Sequence, residues 1–189
     1  MTTTPYQEYA GTRAVLARPV DPSWDHIQGA PTAPAVLVEY GDYECPFCGM
    51  AYPSVKAVQA AMGDRMAFVY RHFPLTHVHP HAEPAAEAAE AAGAQGNFWG
   101  MHDMLFTHQR ALAPAHLLEY AAALGLDLDR FARELAERVH APRVAEHFRS
   151  GVESGVAGTP TFFVNGVHFE GGYDAPLLLA ALELAASQH

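Results

Sequence analysis

The sequence predicts an α/β domain: a central mixed sheet flanked by helices and interrupted by an all-helical insertion. Three observations carry this. A short apolar run, Ala35-Val36-Leu37-Val38-Glu39-Tyr40, is followed by a helical pattern and then by a second apolar run, Met66-Ala67-Phe68-Val69-Tyr70. That is the order of a β-α-β unit with parallel pairing and a right-handed crossover. From about Ala82 to about Val156 the apolar positions recur at helical spacing. Thr161-Phe162-Phe163-Val164 and Val167-His168-Phe169 flank Asn165-Gly166, the dipeptide of a two-residue type I′ hairpin.

Residues 1–33 are rich in Thr, Pro and Ala without sustained periodicity and read as a surface extension contributing at most one short edge strand. The run at 35–40 is apolar on both faces, as a strand buried within a sheet is, and Gly41-Asp42 ends it. Glu39 is the anomaly in that run. From Pro46 to Met62, Phe47, Met50, Val55, Val58 and Met62 follow helical spacing, with Pro46 in the first turn and Gly63 as the stop. Pro53 predicts a kink. In the helical region, Ala82 to Ala92 carries Glu83, Glu87 and Glu90 on one face among alanines that permit close packing. Phe98, Met101 and Leu105 form a second stripe, Leu117, Tyr120 and Leu124 a third, and Phe131, Leu135 and Val139 a fourth. Asp174 caps a last helix from Ala175 to about Ala186. The expected division is 1–33 as extension, 34–75 and 157–189 as the sheet domain, and 76–156 as the insertion.

Half of the 189 residues are hydrophobic, enough for a sizeable core. A formal charge of -10 with only 11 Lys plus Arg argues against nucleic acid and against anionic membrane surfaces, leaving proteins or small molecules as partners. The stretch Met1 to Val20 holds no apolar run of signal-peptide length, so a cytoplasmic location is expected, or a periplasmic or other extracytoplasmic one if a signal has been removed.

The two cysteines stand three positions apart and cannot act as a long-range staple of the fold. Both are therefore available for chemistry. Cys45 opens the crossover helix, where unpaired N–H groups and the helix dipole stabilise a thiolate. Two intervening residues keep Cys48 close enough to attack a mixed disulfide, so Cys45 is the expected attacking thiol and Cys48 the resolving one. Pro46 fixes the turn, and Phe47 either contacts substrate or packs on the insertion. Glu39, six residues before Cys45, is the expected proton acceptor for Cys48, because burial raises a carboxylate's proton affinity. Glu44, beside Cys45, opposes the thiolate by like charge. Half of a zinc site also reads C-x-x-C, but no second cysteine pair follows. His77, His79 and His81 read as a solvated junction, and Phe98, Trp99 and His102 as packing residues; no metal site is assigned.

The run from Val38 to Cys48, with Gly158-Thr159-Pro160-Thr161-Phe162-Phe163-Val164-Asn165-Gly166, resembles the DsbA-like branch of the thioredoxin superfamily. Arg71-His72-Phe73-Pro74-Leu75 and Phe98-Trp99-Gly100-Met101-His102-Asp103 resemble its segments leading into and through the insertion, and the likeness spans about residues 26 to 185. It implies a thioredoxin fold split by a helical domain, with Thr159-Pro160 as a cis-proline loop facing the cysteines and leaving the Thr159 backbone free for an extended substrate peptide. Pro46-Phe47 lacks the histidine found between the cysteines of strongly oxidising members, so reduction or isomerisation stands beside oxidation. The expected function is disulfide exchange with protein substrates through the Cys45–Cys48 pair. It requires no other cofactor, and a thioredoxin- or glutathione-type system serves as redox partner. The alternative is a non-catalytic metal-binding or chaperone-like module.

Overall fold

The computed structural model describes residues 14–30 and 32–188. The first part of the expected extension, residues 1–13, lies outside the described residues. Strand β1 (His26–Gln28) is followed by β2 (Ala35–Gly41), helix α1 (Pro46–Met62) and β3 (Met66–His72). Five helices come next: α2 (Ala82–Gly93), α3 (Phe98–Thr107), α4 (Pro114–Ala123), α5 (Leu128–Ala136) and α6 (Ala141–Glu153). The chain closes with β4 (Thr161–Val164), β5 (Val167–Phe169) and α7 (Ala175–Ala186). The sheet order is β1-β3-β2-β4-β5, with β2 and β3 parallel and every other pair antiparallel. This is the mixed sheet of the thioredoxin fold.

The local signals act where their chemistry requires. β2 and β3 are buried on both faces because helices cover the sheet on each side, and both run past the expected ends, to Gly41 and His72. α1 continues unbroken through Pro53 to Gly63, whose φ of +52° is the left-handed conformation that stops it. Asn165 and Gly166, at φ +45° and +82°, make the type I′ turn between β4 and β5. The Asp174 carboxylate accepts the Leu177 amide and so caps α7.

Parallel pairing puts Leu37, Glu39, Phe68 and Tyr70 on the face that α1 and α7 cover; Val38, Tyr40 and Val69 face α6. The core on the α1 side runs without a break from Cys48, Val55 and Leu178 through Ala85, Ala88 and Ala92 to Phe98, Leu117 and Phe131. The insertion therefore shares its core with the sheet and sits rigidly over the β2–α1 junction. No helix of the described residues is long and apolar enough to cross a membrane.

The segment expected on the surface is partly internal, since Trp24 and Asp25 are buried. Sequence alone missed this because their partner, Arg71, lies in a distant strand. The Arg71 guanidinium, fully enclosed, donates from Nε and Nη2 to both Asp25 oxygens at 2.9 and 3.0 Å and from Nη1 to the Tyr40 hydroxyl at 2.9 Å. Removing one partner of such a pair leaves a buried charge uncompensated. Asp25→Ala is expected to lower the unfolding free energy in urea by about 3–5 kcal/mol, and Asp25→Ala with Arg71→Met by clearly less.

Candidate active site

Cys45 is the N-cap residue of α1 and Pro46 its first helical residue, so the Cys45 side chain stands at the positive end of the helix. Cys48, one turn on, is fully buried against the sheet. Both thiols are free. From the other side the loop before β4 approaches: the Thr159–Pro160 bond is cis, and the Cys45 thiol lies 3.5 Å from the Thr159 carbonyl oxygen. Phe47 points outward, 56% exposed, with Met50 at 49% beside it. Pro46 is exposed as well.

Different surroundings divide the two sulfurs. A hydrogen bond from the Cys48 thiol, assisted by Thr159 and the amides of Cys48 and Phe47, holds Cys45 down at about 5 against the opposing effect of burial. Burial, the hydrogen bond spent on Cys45 and the charges of Glu39 and Cys45 push Cys48 well above the ordinary thiol range. Glu39 is 2% exposed, and burial, with a smaller contribution from Cys45, raises it to about 8. Its Oε1 has no hydrogen-bond partner among the described residues. A dissociated thiol, a protonated thiol and a carboxyl that titrates near neutrality thus occupy one site.

Several residues that hold this arrangement carried no role in the sequence reading. The Asp42 carboxylate accepts the amides of Glu44 at 2.8 Å, Cys45 at 3.2 Å and Leu75 at 2.9 Å, while the Asp42 amide donates to Cys48 Sγ at 3.4 Å. Gln109 Nε2 donates to the carbonyls of Tyr43 at 2.8 Å and Cys45 at 3.0 Å. A Cβ at position 49 would take the place of the Gln109 amide, so any other residue there would push that side chain off the two carbonyls it holds. The Tyr43 hydroxyl and His102 Nδ1 share a hydrogen bond at 3.1 Å, and burial keeps that imidazole neutral. His102 thus packs as expected, and it also ties the insertion to the residues before Cys45.

The histidine junction is only partly solvated. His77 is exposed, but His79 pairs with Asp42 at 2.8 Å and His81 with Glu44 at 2.9 Å. The alternate spacing of the histidines, set against the alternate spacing of Asp42 and Glu44, was the available signal. Glu44 therefore stands beside Cys45 with both its oxygens accepting hydrogen bonds from His81. Among the described residues, the donor group compact enough for a metal is His72, Glu90 and His147, which contains neither cysteine. The Glu90 oxygens there already accept from His26, His72 and Arg143 at 2.9, 2.8 and 2.7 Å.

A family model described as Thioredoxin matches residues 23–183. Oxidised BdbD from Bacillus subtilis superposes with a TM-score of 0.82 at 22% identity, over 93% of this chain and 99% of that one. A thioredoxin-like oxidoreductase from Silicibacter pomeroyi superposes at 0.72 and 27% identity, covering 88% and 94%. DsbA2 of Pseudomonas aeruginosa gives 0.69 at 24%, covering 86% and 95%. Among curated proteins, a Na(+)/H(+) antiporter NhaA 1 of Salinispora arenicola is 53% identical over 170 residues, 90% of this chain but 26% of that protein. The chain spans about a quarter of the length of such relatives. By the family match over most of its length and by its fold, the chain belongs to the thioredoxin family, in the DsbA-like form of that fold.

Proposed function

We propose that the chain is a thiol–disulfide oxidoreductase that exchanges disulfides with protein substrates through Cys45 and Cys48. The observation that carries this reading is the opposite displacement of two neighbouring thiols beside a buried carboxyl whose Oε1 has no partner among the described residues. A structural or metal-holding pair has no use for that asymmetry. A disulfide exchanger needs it, because the attacking sulfur must be dissociated at rest and the second must stay protonated until its turn.

In the reducing direction, the Cys45 thiolate attacks a substrate disulfide. A mixed disulfide forms, and one substrate sulfur leaves as thiolate. Cys48 then loses its proton to Glu39 and attacks Cys45 Sγ; the internal disulfide forms and the second substrate sulfur leaves. Two electrons have passed to the substrate, and the protein awaits a dithiol donor of the thioredoxin or glutathione class. The oxidising direction runs the same steps backwards. The Thr159 backbone, beside Cys45 and only partly buried, supports strand-like pairing with an extended peptide. Pro46, Phe47 and Pro160 frame the approach, and the exposed ring of Phe47 suits an apolar side chain of an unfolded substrate.

The test is the reduction potential of the pair in glutathione buffers. A value near about -270 mV marks a reductant, one near about -120 mV an oxidant, and a pair that never closes an internal disulfide overturns the reading. Cys48→Ala is expected to accumulate mixed disulfides on non-reducing gels, and adding Cys45→Ala should abolish them. Glu39→Gln should slow resolution of a preformed mixed disulfide by about a hundredfold, the usual scale for a lost general base; an unchanged rate removes Glu39 from the mechanism.

Glu39 also sets a pH dependence of stability. With its carboxyl at about 8 in the fold against an ordinary 4.5, the folded chain binds a proton that the unfolded chain has lost between those values. Stability from this group therefore falls as pH rises from 4.5 to 8. The Cys45 thiolate contributes the opposite slope, which a Cys45→Ala background removes. In that background Glu39→Gln is expected to flatten the fall and to exceed its Cys45→Ala parent by on the order of 4 kcal/mol at pH 8, with no difference below pH about 4, by denaturant unfolding.

A further inference from the structure

The turn into Cys45 carries carboxylates at alternate positions, Asp42 and Glu44, and the loop after β3 carries imidazoles at alternate positions, His79 and His81. The fold lays one against the other. His79 Nδ1 donates to Asp42 Oδ2 at 2.8 Å; His81 Nδ1 donates to Glu44 Oε1 at 2.9 Å, and the His81 amide bonds Glu44 Oε2 at 2.6 Å. Asp42 is the centre of this clasp. Its side chain is fully enclosed, its Oδ1 touches the Cys45 amide and its own amide touches Cys48 Sγ. A negative charge so close to both sulfurs opposes a thiolate unless something offsets it. No charged or ionisable group stands between the cysteines to do so, since those positions are Pro46 and Phe47.

We propose that the His79–Asp42 pair, backed by His81–Glu44, sets how strongly the Cys45–Cys48 disulfide oxidises, by holding the cysteine turn and donating hydrogen bonds to its two carboxylates. His79 is a positioning residue acting through Asp42. The inner pair dominates: Asp42 and His79 side chains are 0% and 17% exposed, whereas Glu44 and His81 are 21% and 44% exposed and more strongly screened. Among the described residues, Cys45 is also faced by Cys48 and the Phe47 amide from α1, Glu39 from β2 and the Thr159 carbonyl from the loop before β4. A substitution at His79 leaves these groups in place.

This inference rests on the exchange reading above, and one equilibrium tests both. Protein disulfide and two glutathione thiols are equilibrated with protein dithiol and glutathione disulfide at pH 7. His79→Leu is expected to shift the constant about tenfold toward the protein disulfide, a potential about 30 mV more negative. His79→Ala carries the same expectation. His79→Asn, whose side-chain amide can still donate to Asp42, should recover most of the shift, and His81→Leu should move the constant by less than about threefold, as its exposure dictates. Unfolding both redox states of each variant closes a cycle: a merely structural role costs both states equally and leaves the constant unmoved. Wild-type protein that equilibrates alongside His79→Leu and His79→Ala variants indistinguishable from it overturns the clasp alone; so does a His79→Asn variant as shifted as His79→Leu. Wild-type protein that never equilibrates with glutathione takes the exchange reading down as well.

Discussion

Two sulfur atoms three residues apart on one chain would ordinarily titrate alike, near the common thiol range. At the β2–α1 junction they are forced apart, because only one of them can receive hydrogen bonds from the other and from the helix amides. Cys45 sits at the cap, where unpaired amides point at it; Cys48 sits a turn deeper, enclosed by the sheet and close to Glu39. The rest of the molecule can be read as what is needed to keep that difference. Burial alone would raise both thiols, so the direction of each displacement comes from hydrogen bonding on a rigid helix end.

Rigidity there is supplied from outside the sheet. A helix N-cap reached by a short loop from a strand is free to fray unless its orphan amides and carbonyls are held. Here the insertion supplies Gln109 for the Tyr43 and Cys45 carbonyls and His102 for the Tyr43 hydroxyl, while the loop after β3 supplies the Leu75 amide and His79 for Asp42. A core shared between insertion and sheet makes these partners fixed points. The helical insertion thus acts as a buttress to the cysteine turn, whatever it adds to substrate binding.

Elements whose cause is local were legible in the sequence. The β-α-β order, the Asn165-Gly166 hairpin, the Asp174 cap and the position of Cys45 at a helix start each follow from a few adjacent residues. What stayed hidden has its cause across the fold. Glu87 and Glu90 look like an acidic helix face until Arg138 on the one, and His26, His72 and Arg143 on the other, are seen to bury them as paired charges. Asp25 gives no local sign that Arg71, 46 positions away, awaits it in β3. Asp42 reads as a strand-ending turn residue, which it is; its contacts with both cysteines appear only when β2, α1 and the loop after β3 converge.

In the proposed exchange, the value at which Glu39 titrates bears on direction as well as rate. When substrate is oxidised, Cys48 must leave Cys45, and a thiol with so high a proton affinity leaves poorly unless a proton is handed to it. When substrate is reduced, that proton must be taken away. A carboxyl at its ordinary 4.5 would have no proton to give at neutral pH, and one displaced far above neutrality would rarely accept. At about 8 it is available in both forms. The low proton affinity of Cys45 completes the argument, since it makes that sulfur the good leaving group when a second substrate thiol resolves the mixed disulfide on the substrate's side. In the proposed exchange the site is therefore equipped to run either way, and the potential of its own pair set against that of its partner decides which.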